Sequence, residues 1–363
     1  MRVLWVYDQL STHTQRLATQ LVERHDIDLE IMCCPGEKRP DVPSSVPVTP
    51  LVCRNKVDFE ARKLIRRKIQ SGNYDVAHAY TSRNQANLIG ACRGLRPMPR
   101  LVGYRGTINR LQLLDPANWI TFWHPRVSRV ICVCHATQKA MIESGLPESK
   151  LSVVWEGCDP EGLLPSAATS SRASFDIPDD AFVVGVVANM RAVKGIHLLL
   201  EAALKLTDLK NIYFLLIGEV RDPRIAVLAA DPRIADRVRL TGPLPEAGRC
   251  AGLFDVLAAP SIMEGLSMSI MEAMARQVCP VVSHVGGNIE LVRDQVDGLV
   301  VPVGDSSALA RAIRRLHDEP VLRKQLAASA HQRSLHQFSI AAWATRLAGV
   351  YRDVAATAAA RAA

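Results

Sequence analysis

In the stretch IMEGLSMSIMEAMA, residues 262–275, Glu264 stands just ahead of a Gly-Leu-Ser step, and Glu272 follows after seven intervening residues. Met268, Met271 and Ala275 recur at helical spacing, and the strand-like run VLAAPS comes before them. A strand, a glycine-bearing turn and a helix start concentrate free backbone N–H groups and the positive end of a helix dipole at one place. That arrangement predicts a bound anion at Gly265, Leu266 and Ser267, with Gly265 leaving room for close approach to the backbone. A phosphate there repels any carboxylate aimed at it, so Glu264 is expected to turn to neighbouring hydroxyls, such as those of a sugar. Eight positions at about 100° each carry Glu272 some two turns along the helix and about 80° around it. It then meets another part of the same ligand, where a carboxylate can take the paired hydroxyls of a ribose. Sugar, diphosphate and ribose in a row describe a nucleotide sugar. SIME, residues 269–272, also fits a capping box, in which Glu272 would only satisfy a backbone donor.

These residues need a scaffold, and its rhythm is legible. The runs RVLWVY, IDLEIMCC, YDVAHAY, RLVGYR, RVICVC and LSVVWEG form one strand series. A second consists of FVVGVVAN, NIYFLLIG, RVRLTG, VLAAPS, PVVSHV and GLVVPV. Helical patterns lie between the runs, the signature of parallel sheets with crossover helices. The polar, aperiodic segment PSAATSSRASFDIPDD reads as a linker. The expected fold class is therefore α/β, with two Rossmann-like domains facing each other across a cleft. The expected boundaries are an N-terminal domain over 1–164, a linker over 165–180, a C-terminal domain over 181–338, and a C-terminal helix over 339–363 that packs back on the first domain.

Composition narrows the class further. A chain of 363 residues, 48% of them hydrophobic, can bury a core larger than one ordinary domain. The nine scattered cysteines and the start MRVLWVYDQL suggest a reduced, cytoplasmic protein with neither a disulfide framework nor a secretory leader. No apolar run approaches the roughly 20 residues of a spanning helix. Lys and Arg number 22 against 15 Asp and Glu over residues 1–160, but 22 against 21 over the remainder, so the positive excess lies in the N-terminal part. Such asymmetry points to an anionic partner; nucleic acid is not expected. Cys132 and Cys134 alternate on a strand without a second cluster at zinc spacing, and Asp26-Ile-Asp28 precedes a buried strand, so no metal and no cofactor are expected. Neither half carries G-x-G-x-x-G after its first strand, which argues against a dehydrogenase.

The block PSIMEGLSMSIMEAMARQVCPVVSHVGGNIELV, with Glu264 and Glu272 followed by a Gly-Gly-x-x-Glu turn, resembles the family 4 glycosyltransferases of the GT-B fold, and the resemblance extends over essentially the whole chain. It implies a retaining, metal-independent transferase using a UDP- or GDP-linked sugar. VANMRAVKG resembles the family's donor-diphosphate segment, which implies that Lys194 and Arg191 neutralise the leaving diphosphate; Asn189 stands where the family commonly has Arg. By the same likeness Glu264 contacts the transferred sugar, Gly265, Leu266 and Ser267 the phosphates, and Glu272 the ribose. Gly218 and Glu219 of LIGEVRD and Thr241 and Gly242 of LTGP then border the nucleotide.

The likeness thins in the N-terminal half. YDQLSTHTQ replaces the family's Gly-Gly loop and puts His13 there, and YRGTINR puts Arg105 where relatives carry histidine. An arginine stays protonated and cannot act as a base, but it can hold a phosphate or carboxylate bidentately. His13, His78, Arg83, Arg105 and Thr107 are the expected acceptor contacts. VDFEARKLIRRKIQSG sets Leu64, Ile65 and Ile69 on one helical face and Arg62, Lys63, Arg66, Arg67 and Lys68 around the rest. With the resemblance, this pattern suggests peripheral contact with the cytoplasmic face of a membrane and an anionic or lipid-linked acceptor of the cell-envelope or lipopolysaccharide type. A nucleotide-sugar 2-epimerase and a catalytically silent sugar-nucleotide-binding subunit are the alternatives.

Overall fold

The computed structural model describes residues 1–35, 41–112, 114–159, 171–245 and 247–362, with side chains up to residue 356. The chain divides into two compact units, Met1–Glu156 with Ile340–Ala363, and Gly157–Ser339. Residues 165–170 of the expected linker lie outside the described residues.

The first unit is built on seven parallel strands: β1 (Arg2–Val6), β2 (Asp28–Cys33), β3 (Val48–Pro50), β4 (Val76–Ala79), β5 (Arg100–Arg105), β6 (Val127–Cys132) and β7 (Leu151–Val153). Their order is β3-β2-β1-β4-β5-β6-β7. β1 and β4 are the central pair and almost wholly buried, as strands covered on both faces must be. β3 escapes the sequence pattern because it is only three residues long and flanked by prolines, which suits the sheet edge where it lies. Helix starts are set by side-chain caps at Ser11, Asp58 and Thr81. The C-terminal helix Ile340–Ala362 packs on the helix Thr12–His25, and Tyr351 reaches the core, where its Oη accepts from Trp5 Nε1 at 2.9 Å.

The helix Phe59–Gly72 departs from expectation. Its buried face is Ala61, Ile65, Ile69 and Gly72, whereas Leu64 is exposed. Its cations are not all loose. Arg62 donates to Asn87 Oδ1 and the Lys56 carbonyl, Arg66 to the carbonyls of Ala91 and Arg93, and Lys68 pairs with Glu30. Among the described residues no helix is long and apolar enough to cross a membrane.

The second unit carries six parallel strands: β8 (Phe182–Val187), β9 (Ile212–Ile217), β10 (Val238–Gly242), β11 (Val256–Ala259), β12 (Cys279–Ser283) and β13 (Leu299–Val301). Their order β10-β9-β8-β11-β12-β13 reverses direction between β8 and β11. In open sheets of this kind ligands bind beyond the carboxyl ends of the strands at the reversal. The turns after β8 and β11 stand at that reversal.

Candidate functional site

Two turns meet there because their backbones interlock. The Val193 carbonyl, in the turn after β8, accepts from the amides of Ile262 at 2.8 Å and Met263 at 3.3 Å, in the turn after β11. Gly195 has φ +65°, and a Cβ there would lie 2.1 Å from the Pro260 carbonyl oxygen, so both conformation and packing demand glycine. This contact fixes Lys194 against Glu264. The ammonium Nζ lies 2.5 Å from Glu264 Oε2, and Ser261 Oγ donates to the same oxygen at 3.1 Å. The two side chains are 21% and 12% exposed. They form a sheltered ion pair. Arg191 is exposed at the start of the short 3-10 turn Ala192–Lys194.

A third turn closes on these two. Gly287 packs so tightly that a Cβ would sit 1.8 Å from the Gly265 carbonyl oxygen, and its amide donates to the Glu264 carbonyl at 3.3 Å. Ser283, at the end of β12, donates to the Ser261 carbonyl at 2.5 Å and Asn288 buries itself against Ser283. Glu264 thus sits on a turn braced from both neighbouring strands. The helix Met268–Ala275 then starts at Ser267, which makes no side-chain capping bond; its hydroxyl instead meets Ser269 Oγ at 3.1 Å. The Ser267 side chain therefore leaves the first-turn amides of this helix uncapped.

Glu272 is the fifth residue of that helix, beyond the third position that a capping box requires. Its carboxylate lies against Gly248 at the start of the 3-10 turn Ala247–Leu253, where an added Cβ would come within 2.4 Å of it. The capping box read at residues 269–272 requires Ser269 as the N-cap, whereas Ser267 holds that place. Gly218 is held by architecture: with φ +132°, its Cβ would collide with the Ala188 carbonyl oxygen at 1.9 Å. Its amide donates to the Gly242 carbonyl, which brings the turns after β9 and β10 together at Gly218, Glu219, Thr241 and Gly242. Glu219 is half-exposed and paired with Arg221, and the Thr241 hydroxyl donates to the Gly242 carbonyl.

In the first unit, His13, Arg83, Arg105 and Thr107 follow the carboxyl ends of β1, β4 and β5. His13 falls in the first turn of the helix capped by Ser11. Arg83 pairs with Asp8 at 2.9 Å. Arg105 donates to the Asn109 carbonyl at 2.6 Å and lies 5.4 Å over the Phe122 ring; burial lowers its basicity without removing its charge. Thr107 is exposed. His78 does not belong with them. It is 1% exposed within β4, its Nδ1 lies 2.6 Å from Tyr351 Oη, and burial pushes its pKa down to about 3. Its ring packs 4.0 Å from Tyr80, centroid to centroid, so His78 is a neutral core residue and the expectation that it contacts an acceptor is corrected. Cys132 and Cys134 are also buried, and Asp26 ends a helix in the left-handed region.

Two residues of this ground carry no sequence signal. Ser261 reads as a turn residue until its hydroxyl is seen to orient Glu264. Glu156, just past β7, accepts a 2.5 Å hydrogen bond from Tyr104 Oη; burial raises its pKa, while Tyr104 and the charge of His13 oppose that rise. Only the sheet order brings residues 13, 104 and 156 together.

Residues 10–161 match the family model for Glycosyltransferase Family 4, and residues 168–333 match that for Glycosyl transferases group 1. The alpha-D-kanosaminyltransferase of Streptomyces kanamyceticus is 32% identical over 181 residues, 48% of this chain and 47% of that protein. The lipopolysaccharide core biosynthesis glycosyltransferase LpsE of Rhizobium meliloti is 34% identical over 170 residues, 46% of this chain and 49% of its own. The chain thus matches about half the length of these curated relatives. The crystal structure of Anabaena HepE in complex with UDP superposes with a TM-score of 0.77 at 20% identity, covering 97% of this chain and all of the other. The same protein has been crystallised with UDP-glucose. This likeness establishes the GT-B fold.

Proposed function

Because the chain belongs to the family 4 glycosyltransferases, we propose that it moves a sugar from a nucleotide-sugar donor to an acceptor hydroxyl with retention of configuration and without a metal ion. The observation that carries this reading is the Lys194–Glu264 pair at the strand-order reversal of the second sheet, with Glu272 on the helix that follows. One cation and two carboxylates at that spacing suit a ligand with a diphosphate between two polyols. Retention and independence from metal rest on the family resemblance.

In this mechanism the diphosphate lies at the start of the helix Met268–Ala275, against backbone N–H groups and the positive dipole end. Lys194 then faces a phosphate oxygen as well as Glu264, with Arg191 free to add a second cation. Glu264 takes sugar hydroxyls, held in place by Ser261, and Glu272 takes the ribose diol. The bond from the anomeric carbon to the phosphate oxygen breaks, and the leaving diphosphate carries the electron pair. Lys194 and the helix amides stabilise that charge as it develops. The acceptor oxygen bonds to the same face of the anomeric carbon, and its proton passes to the leaving phosphate oxygen. The protein contributes positioning and electrostatics rather than a nucleophile.

The acceptor reading rests on the first unit. His13, Arg83, Arg105 and Thr107 cluster at one sheet edge and suit an acceptor bearing negative charge. An envelope or lipid-linked glycan acceptor accords with the name of LpsE. Peripheral membrane contact then falls chiefly to Lys63 and Arg67, the exposed cations of the helix Phe59–Gly72, beside exposed Phe59 and Leu64. The test is a thermal-shift panel of UDP- and GDP-sugars followed by product analysis with and without lipid acceptors. Binding at about 100 times Kd adds about 2.7 kcal/mol of stability. Conversion of the sugar nucleotide without any acceptor would replace transfer with epimerisation, and no binding of any nucleotide sugar would reject the reading.

A further inference from the structure

The amino-end edge of the first sheet is opposite to the one carrying His13, Arg83 and Arg105, and it holds a pocket of about 420 Å³. Four cations line it: Arg100 at the start of β5, Arg126 and Arg129 at the start of β6, and Lys150 just before β7. Ser128 and Ser149 add hydroxyls, the rest of the lining is apolar, and no carboxylate is part of it. The register of β5 and β6 skips Ser128, pairing Leu101 with Val127 and then Val102 with Arg129. A bulge of this kind re-aims the side chains around it.

Like charges gathered this way repel one another, and several arginines elsewhere in this protein are answered by acids. Arg2 meets Asp28 and Glu30, Arg224 meets Asp222, and Arg314 meets Asp208. Among the described residues none of the four pocket cations has such a partner. Glu148, the carboxylate nearest in sequence, is exposed and makes no ion pair with Lys150. Arg129 gives one bond to Ser152 Oγ at 3.2 Å, while its Nε is buried with no hydrogen-bond partner. Arg126 and Lys150, after burial, also depress the basicity of His124 nearby, so their fields overlap. Unanswered cations, hydroxyls and an orphaned guanidinium N–H in a recess are what a multiply charged oxyanion needs.

We propose that this pocket is a second anion site, independent of the donor site, that binds a phosphate-bearing ligand of two or more negative charges. Its chemistry fits a soluble phosphate ester or pyrophosphate and equally a phospholipid headgroup. The site accounts for part of the positive excess of residues 1–160 that the acceptor edge leaves unused.

The test titrates sodium pyrophosphate into the full chain by calorimetry, comparing wild type, Lys194→Ala and the double variant Arg126→Gln/Lys150→Gln. Lys194→Ala removes the donor-site lysine, so the binding that remains reports the pocket. The proposal expects one pyrophosphate site to remain in Lys194→Ala, binding at least tenfold weaker when Arg126→Gln/Lys150→Gln is added to that background, and weaker binding at higher salt. Arg126→Gln alone should weaken binding severalfold and serves if the double variant does not fold. Unchanged affinity in the Gln variants, or complete loss in Lys194→Ala, overturns the proposal. Sedimentation with phosphatidic-acid vesicles, against phosphatidylcholine alone, distinguishes the sources. Pelleting that the double variant loses assigns the pocket to a lipid headgroup, and pyrophosphate binding without pelleting assigns it to a soluble ester.

Discussion

Replacing Glu264 by Gln should tighten the binding of a bare nucleoside diphosphate while slowing sugar transfer. In the free protein Lys194 Nζ sits 2.5 Å from Glu264 Oε2, so a diphosphate has to share an ammonium that a carboxylate already holds. A phosphate oxygen taking the other side of Nζ would lie roughly 5–6 Å from that carboxylate, where two unit charges repel by about 3 kcal/mol at an effective dielectric of 20 and about 0.8 kcal/mol in water. The side chains are 21% and 12% exposed, which places the site between those limits. A net gain of about 1 kcal/mol, roughly fivefold in Kd, is the expected outcome. Gln keeps an oxygen for Ser261 and nearly the same shape, so the brace on the turn survives. The sugar, in contrast, loses hydrogen bonds to a charged acceptor, worth about 1.5–3 kcal/mol, which lowers turnover roughly 10- to 150-fold. Calorimetry with UDP and GDP, run beside initial rates with the matching donor, separates the two effects. Unchanged or weaker diphosphate binding in Glu264→Gln would show that Lys194 does not meet the diphosphate beside this carboxylate, and the donor assignment would fail.

Glu272→Ala should weaken the nucleoside diphosphate by about 1.5–3 kcal/mol with a normal melting temperature; lost stability at unchanged affinity would make it a structural residue. Gly248→Ala sets a methyl 2.4 Å from the Glu272 carboxylate and should reproduce that loss, while an unaffected Kd would place the ribose elsewhere. His78 bears on pH. Its folded pKa of about 3 lies below the ordinary 6.5, so as pH falls below 6.5 the unfolded chain binds a proton that the native state refuses. Between pH 6.5 and 5 wild type should therefore lose about 2 kcal/mol more than His78→Gln in urea unfolding, and equal losses would deny the neutral core imidazole. Changing Lys63 and Arg67 to Gln should reduce binding to anionic vesicles by about 2 kcal/mol, near 30-fold, without disturbing the bonds made by Arg62 and Arg66; equal recovery in the pellet would remove this helix as a docking surface.

The sequence by itself determined what repeats locally. Runs of buried β-branched residues separated by amphipathic patterns are set by side-chain chemistry over five to fifteen positions, and they announced both parallel sheets apart from the three-residue strand β3, too short and too rich in proline to register. The Glu264 and Glu272 spacing was equally legible, because strand, turn and helix start are contiguous in the chain. What depended on partners far away in sequence was decided only by the tertiary structure. Residues 194 and 264 become an ion pair through the backbone bonds from Ile262 and Met263 to Val193, and the Glu272 carboxylate meets Gly248 through helix packing. A strand histidine looks the same in sequence whether it faces solvent or core; Tyr351, 273 residues away, puts His78 in the core. Likewise, Arg100, Arg126, Arg129 and Lys150 are unremarkable singly and form a site only because β5, β6 and β7 are neighbours whose amino ends share one edge. Periodicity records which face a residue turns inward, whereas long-range proximity follows from strand order, which the local pattern does not encode.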